Sequence, residues 1–290
     1  MEYVNFVIMK NFLKWLGKNR TIAVLIAIVV YFSIVTFHDE ITQIAIKMRN
    51  AIGRDLYNSY LAYFFLILLV IVTGWFARNI YKSENKLQNT LLVVAITGLM
   101  LFSFRFLMVY NIEAIHFVEY MIVAVILLPV FRSYGATVFW VTLLGVLDEL
   151  FQYIYLVPEF EYFDFNDNVL NLLGAGAGAI MVLTMGNDAV GIKSYKWYRS
   201  PAILTAAGLL VIFAGLYLSG KMTIDPTGIQ DGSNWFSLNR GTMPEGFWTE
   251  AYPGRRFHIL KPWEGIAVIY LLFGMFFYLD KIRENPSHPR

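Results

Sequence analysis

Eight apolar runs, each close to the roughly 20 residues that a helix needs to cross hydrocarbon, divide this 290-residue chain. They are Thr21–Phe37, Tyr60–Phe76, Thr90–Tyr110, Ala114–Phe131, Ala136–Leu156, Val169–Met185, Pro201–Ser219 and Gly265–Asp280. The pattern predicts an all-α polytopic transmembrane bundle of about eight spans. The sixth run is small rather than bulky, with Gly174, Ala175, Gly176, Ala177 and Gly178 in succession. Gly174 and Gly178 stand at the GxxxG spacing that lets helices approach closely. Before the first run, Met1–Arg20 mixes Phe6, Ile8, Phe12, Trp15 and Leu16 with lysines, as in an interfacial amphipathic helix. The first run lacks a small-residue cleavage site and so reads as a signal anchor. Between the first two spans, Ile41, Ile44, Met48, Ile52 and Leu56 recur at helical spacing. They predict a helix lying on the outer surface. The chain thus divides into 1–89, a leader and two spans; 90–185, a core; and 186–290, two further spans joined by the long loop 221–263.

Polar residues interrupt three successive runs. Glu113, His116, Glu119 and Tyr120 share one arc of the fourth span. On the fifth, Asp148, Gln152 and Tyr155 form a stripe with Glu149 at its flank, and on the sixth Asp164, Asp167, Asn171, Gly174 and Gly178 form a seam. A charge near the bilayer midplane costs roughly 2.5–3.5 kcal/mol on insertion scales. Three stripes facing one another, rather than lipid, would share a single polar site. At about 1.5 Å of rise per residue, His116 and Tyr120 lie roughly 3 and 9 Å below the outer end of their span. By the same measure Gln152 and Asp148 lie roughly 6 and 12 Å down theirs.

Composition narrows the classes. The chain is 58% hydrophobic and 15% charged, with a mean hydropathy of +0.55, which fits an integral membrane protein. A net charge of +2 leaves no footprint for nucleic acid. The absence of cysteine excludes disulfides, thiolate metal ligands and cysteine nucleophiles. Fourteen Lys and Arg residues fall in the even-numbered loops and the two tails, and eight in the odd-numbered loops. The bias predicts that both termini are cytoplasmic and that the acidic loop Pro158–Asn168 and the loop 221–263 lie outside. Trp235, Phe236, Trp248 and Trp263 in that long loop read as interfacial anchors. His38 and His258 read as solvated, and Asp225-Pro226 and Met243-Pro244 as turns.

The string HFVEY at His116–Tyr120, DELFQ at Asp148–Gln152 and DNVLNLLG at Asp167–Gly174 resembles the VanZ-like family of bacterial membrane proteins. That family carries H-x-x-x-Y, D-E-x-x-Q and D-x-x-x-N-x-x-G patterns on successive membrane helices. The resemblance covers about Thr90–Met185 and implies a four-helix VanZ-like core in the bacterial cytoplasmic membrane. It also brings an association with resistance to the glycopeptide teicoplanin. The basic residue that family members often carry shortly before the third motif has no counterpart in the acidic stretch Pro158–Asp164. Arg105, on the third span, is the candidate to supply that charge.

The expected role is therefore in the cell envelope, binding an amphiphilic or lipid-linked substrate at the outer leaflet. In an enzymatic version, His116, Asp148, Glu149 and Asp167 are the candidate catalytic groups, as acid–base pairs or as ligands of a divalent metal held by Asp148, Glu149 and His116. Arg105, Glu113, Glu119, Tyr120, Gln152 and Asn171 would bind and orient the substrate. No Walker loop, G-x-S-x-G elbow or HExxH helix is present. Two other readings stay open: a transporter or lipid-handling protein with a proton- or ion-coupled site, and a structural polar network that fixes helix register.

Overall fold

The computed structural model describes residues 2–156, 162–186, 190–193, 197–224, 235–241 and 244–283. Its helices are α1 (Glu2–Lys18), α2 (Arg20–Ile52), α3 (Arg54–Lys82), α4 (Lys86–Phe106), α5 (Ile115–Phe131), α6 (Tyr134–Phe151), α7 (Phe165–Thr184), α8 (Pro201–Leu218) and α9 (Pro262–Arg283). Eight of them, α2 to α9, are long and apolar enough to cross a membrane, and the protein is an integral, multi-pass membrane protein. Two small sheets lie in the long loop. In one, β1 (Met222–Thr223) pairs in parallel with β2 (Phe236–Ser237). The other is a hairpin of β3 (Thr249–Tyr252) and β4 (Arg255–Phe257), turning at Pro253-Gly254 with Gly254 at φ 84°. Residues 225, 226 and 243, in the two predicted turns, lie outside the described residues.

Helix α7 is the axis of the bundle. In its apolar stretch 89% of residues are buried, against 56% in α5 and α6, 11% in α2 and α8 and 6% in α3. Many large apolar side chains are left exposed on α2, α3 and α8, among them Phe32, Phe64, Ile67 and Val211. Lipid is the solvent that suits such surfaces. The small residues of α7 produce its central position. A methyl group added at Gly174 would stand 2.7 Å from the carbonyl oxygen of Phe117, and one at Gly178 would stand 2.5 Å from that of Met121. The GxxxG seam therefore seats α7 directly on the backbone of α5, as its spacing predicts.

Helix α2 departs from expectation. It runs unbroken for 33 residues, roughly 50 Å at 1.5 Å per residue. The helix expected to lie on the surface over Ile41–Leu56 is instead the last three turns of α2 followed by the first turn of α3. No Gly or Pro intervenes between Phe37 and Ile52, so nothing stops the helix until Gly53, which adopts φ 86°. Those extra turns stand over the end of the bundle where the predicted polar stripes meet.

Two anchors hold the long loop on that same end. The Asn166 side chain donates to the carbonyls of Leu107 (2.7 Å) and His258 (2.8 Å) and accepts from the Leu260 amide (2.8 Å). Arg255 donates to the carbonyls of Phe104 (3.0 Å) and Met108 (2.8 Å), satisfying the C-terminal turn of α4. His258, expected to be solvated, is buried, stacked on Phe247 and 3.0 Å from Glu264. Trp235, Trp248 and Trp263 are exposed, as an interfacial role requires.

Candidate functional site

The three polar stripes converge. From α5, the Tyr120 hydroxyl donates to Asp148 Oδ2 on α6 at 3.0 Å, inside the bundle. His116 Nε2 lies 3.6 Å from Asp167 Oδ2 on α7, and its Nδ1 lies 4.0 Å from Glu119 Oε2. Ligand-capable atoms of His116, Glu149 and Asp167 lie within 4.8 Å of one another. Asn171 sits one turn beneath Asp167, in space left by Gly145 of α6, where a methyl would come 2.7 Å from the Asn171 amide nitrogen. Asp148 and Asn171 are completely buried, and His116, Glu149 and Gln152 nearly so.

Local structure positions each group. Asp164 caps α7, accepting from the amides of Asn166 (2.8 Å) and Asp167 (3.1 Å), which fixes where Asp167 enters the first turn. Burial, then the neighbouring Asp167 carboxylate, push Asp164 up to about 7 despite those two hydrogen bonds. Asn168, fully buried, donates to the Asp164 carbonyl at 2.6 Å. Gln152 opens a π-helical turn, Gln152–Leu156, at the end of α6. The wider turn breaks the 3.6-residue period. Tyr155, expected on the Asp148–Gln152 stripe, is therefore turned outward, while Tyr153 is buried and donates to the Ser237 carbonyl at 3.0 Å.

Two predicted members stand differently. The Glu113 carboxylate accepts the amides of Val109 and Tyr110, both at 2.9 Å. It closes a 3₁₀ turn, Asn111–Ala114, so its oxygens serve the backbone. Arg105 is exposed in the last turn of α4, and its guanidinium lies 5.3 Å from the Phe106 ring centroid. The structure does not bring it to the carboxylates. The expected metal set changes as well: Asp148 accepts from Tyr120 through one oxygen, and the third group within reach of His116 and Glu149 is Asp167.

A cavity of about 400 Å³ opens above these groups. His116, Glu119, Gln152 and Asp167 line its floor, and His38, Thr42, Ala45 and Arg49 of α2 form a wall. His38 is half-buried with its ring centroid 6.1 Å from that of His116, and the Arg49 guanidinium lies 5.0 Å from the Tyr110 ring centroid. The α2 residues were not in the predicted site. The signal for them is legible: His38, Thr42, Ala45 and Arg49 recur at spacings of four, three and four, one face of a helix.

The chemistry is unbalanced. His116 Nδ1, Glu119 Oε2, Asp148 Oδ1, Glu149 Oε1, Gln152 Nε2 and both amide atoms of Asn171 are buried without a hydrogen-bond partner among the described residues. Each such group costs about 1–3 kcal/mol, and native proteins tolerate few of them. Concentrated in one place, between acidic groups, they describe a floor that takes positive charge or hydrogen-bond donors, while Arg49 on the wall can meet an anion. Fold and site together define a polytopic membrane protein with a polar pocket near one end of its bundle. Compared with known proteins, the chain matches no family model, no curated protein and no solved structure.

Proposed function

We propose that this is a VanZ-like protein of the bacterial cell envelope, with both termini cytoplasmic, whose pocket takes the headgroup of an amphiphilic or lipid-linked molecule from the outer leaflet. The observation that carries the reading is the group of partnerless buried polar atoms beneath a cavity large enough for a headgroup. Arg49 supplies the cation at the cavity wall that an anionic headgroup requires, in the role that the sequence had suggested for Arg105. The three motifs on α5, α6 and α7 support the family-level reading, which brings glycopeptide resistance as its association.

The test is binding of a fluorescent polyprenyl phosphate by the protein in phosphatidylcholine nanodiscs. Wild type should bind it. Loss of a charge-assisted hydrogen bond should make Arg49→Gln about ten-fold weaker, and Arg105→Gln should match wild type. Equal binding by the two arginine variants, or none by wild type, contradicts the reading. Orientation has its own test, because the chain has no native cysteine. A cysteine placed at Thr42 should react with an impermeant thiol reagent added to intact cells, and labelling only after lysis would reverse the topology.

A further inference from the structure

We propose that His116, Glu149 and Asp167 hold one divalent cation of the zinc or manganese kind, and that Glu119 positions the imidazole from behind. The inference rests on the reading of the pocket as a ligand site and names the group that completes it.

Three observations carry it. First, one imidazole and two carboxylates, each from a different helix, offer ligand atoms within 4.8 Å of one another. Ligands around one zinc ion sit about 3.4 Å apart, given bonds of about 2.1 Å, so a bound ion would draw them in by side-chain adjustment. Second, His116 has the arrangement of a metal-ligating histidine. Its Nε2 faces Asp167 at 3.6 Å and its Nδ1 faces the Glu119 carboxylate at 4.0 Å, from where a small side-chain shift would close the outer hydrogen bond that fixes a ligating ring and raises its basicity. Third, Glu149 Oε1 and both amide atoms of Asn171 have no partner among the described residues, although Glu149 is only 4% exposed and Asn171 is 0% exposed. Buried carboxylates are paired or coordinate metals. The other carboxylates nearby are committed in part or in full: Asp148 accepts from Tyr120 through Oδ2 and lies outside the group of mutually close ligand atoms, Asp164 caps α7, and Glu113 holds two amides.

The donor set narrows the cation. Calcium and magnesium favour oxygen-only shells, whereas an imidazole among carboxylates suits zinc, iron or manganese. Three protein ligands leave a coordination position open. His116 and Asp167 also line the cavity, so that position has access to the headgroup.

The experiment uses the full-length protein in detergent, stripped with EDTA, dialysed separately against Zn²⁺, Mn²⁺ or Mg²⁺, desalted and assayed for metal. Wild type should retain about one zinc or manganese per chain, and little magnesium. Glu149→Gln and Asp167→Asn should each lose at least nine-tenths of it. Glu119→Gln should weaken the affinity by about 10- to 100-fold without abolishing it, and Asp280→Asn, remote from the pocket, should match wild type. Circular dichroism and gel filtration check each variant's fold, and Asp167→Asn, at the more exposed rim, decides the matter if Glu149→Gln does not fold. X-ray absorption of the loaded protein should show one nitrogen ligand from His116 among oxygens. Wild type that retains no more metal than Glu149→Gln overturns the site. If EDTA-treated wild type still binds the polyprenyl phosphate in that case, the pocket reading stands and the metal alone falls.

Discussion

Helix α6 has a carboxylate site at each end, half-buried at its start and buried at its finish, and the two are completed differently. At its N-terminus, Asp280 of α9 accepts from the Ser133 hydroxyl (2.6 Å) and from the amides of Tyr134 (2.6 Å) and Gly135 (2.9 Å). Those oxygens satisfy donors that a helix start always leaves open and complement its dipole. At the C-terminal end, Asp148 and Glu149 meet His116, Asp167 and Asn171, and several of their atoms have no partner among the described residues. The same contrast recurs along α7, where Asn166 uses its side chain in three hydrogen bonds and Asn171, five residues on, makes none. Burial of a polar group alone does not mark function in a membrane bundle. What separates scaffold from site is whether the protein itself completes the hydrogen bonding.

That distinction predicts opposite signs for similar substitutions. The largest loss should follow Asn166→Ala, which orphans two carbonyls and an amide. At about 1–3 kcal/mol for each buried group, the protein should lose about 3 kcal/mol or more, read as a fall in thermal midpoint in detergent. Asp280→Ala should cost about 2 kcal/mol by removing a helix cap, read the same way. Glu149→Gln should act in the other direction on metal-free protein, gaining up to about 1 kcal/mol as one acidic group of a crowded buried cluster is removed. A comparable loss in Asp280→Ala and Glu149→Gln would erase the contrast and make the whole cluster scaffold. The smallest effect belongs to Arg105→Gln, exposed at the end of α4, which should stay within about 0.5 kcal/mol of wild type.

Much of this was legible in the sequence, for identifiable reasons. Length and apolarity gave the eight spans, and helical phase put His116 and Tyr120, Asp148 and Glu149, and Asp167 and Asn171 on facing stripes, because α5, α6 and most of α7 are regular helices. The Gly174–Gly178 spacing foretold close packing because only glycine admits a neighbouring backbone at 2.5–2.7 Å from where a side chain would begin. Phase reasoning failed where regularity did. The π turn at Gln152 turned Tyr155 outward, and the unbroken run of α2 past Phe37 brought His38 and Arg49 over the pocket instead of leaving Ile41–Leu56 as a separate surface helix. Arg105 was misplaced for another reason: position within an apolar run fixes depth, whereas the face it occupies depends on how α4 is rotated against α7. Asn166 and Arg255 were missed because their partners are backbone groups in distant loops, which no spacing along the chain reveals.

The most direct measurement is an experimental density map of the wild-type protein, purified without chelator, at a resolution that distinguishes an ion from water. A peak is expected between α5, α6 and α7, within metal-bonding distance of His116 Nε2, Glu149 and Asp167. Ordered waters that satisfy Glu149, Asn171 and Gln152, with no ion and no headgroup among them, would contradict it.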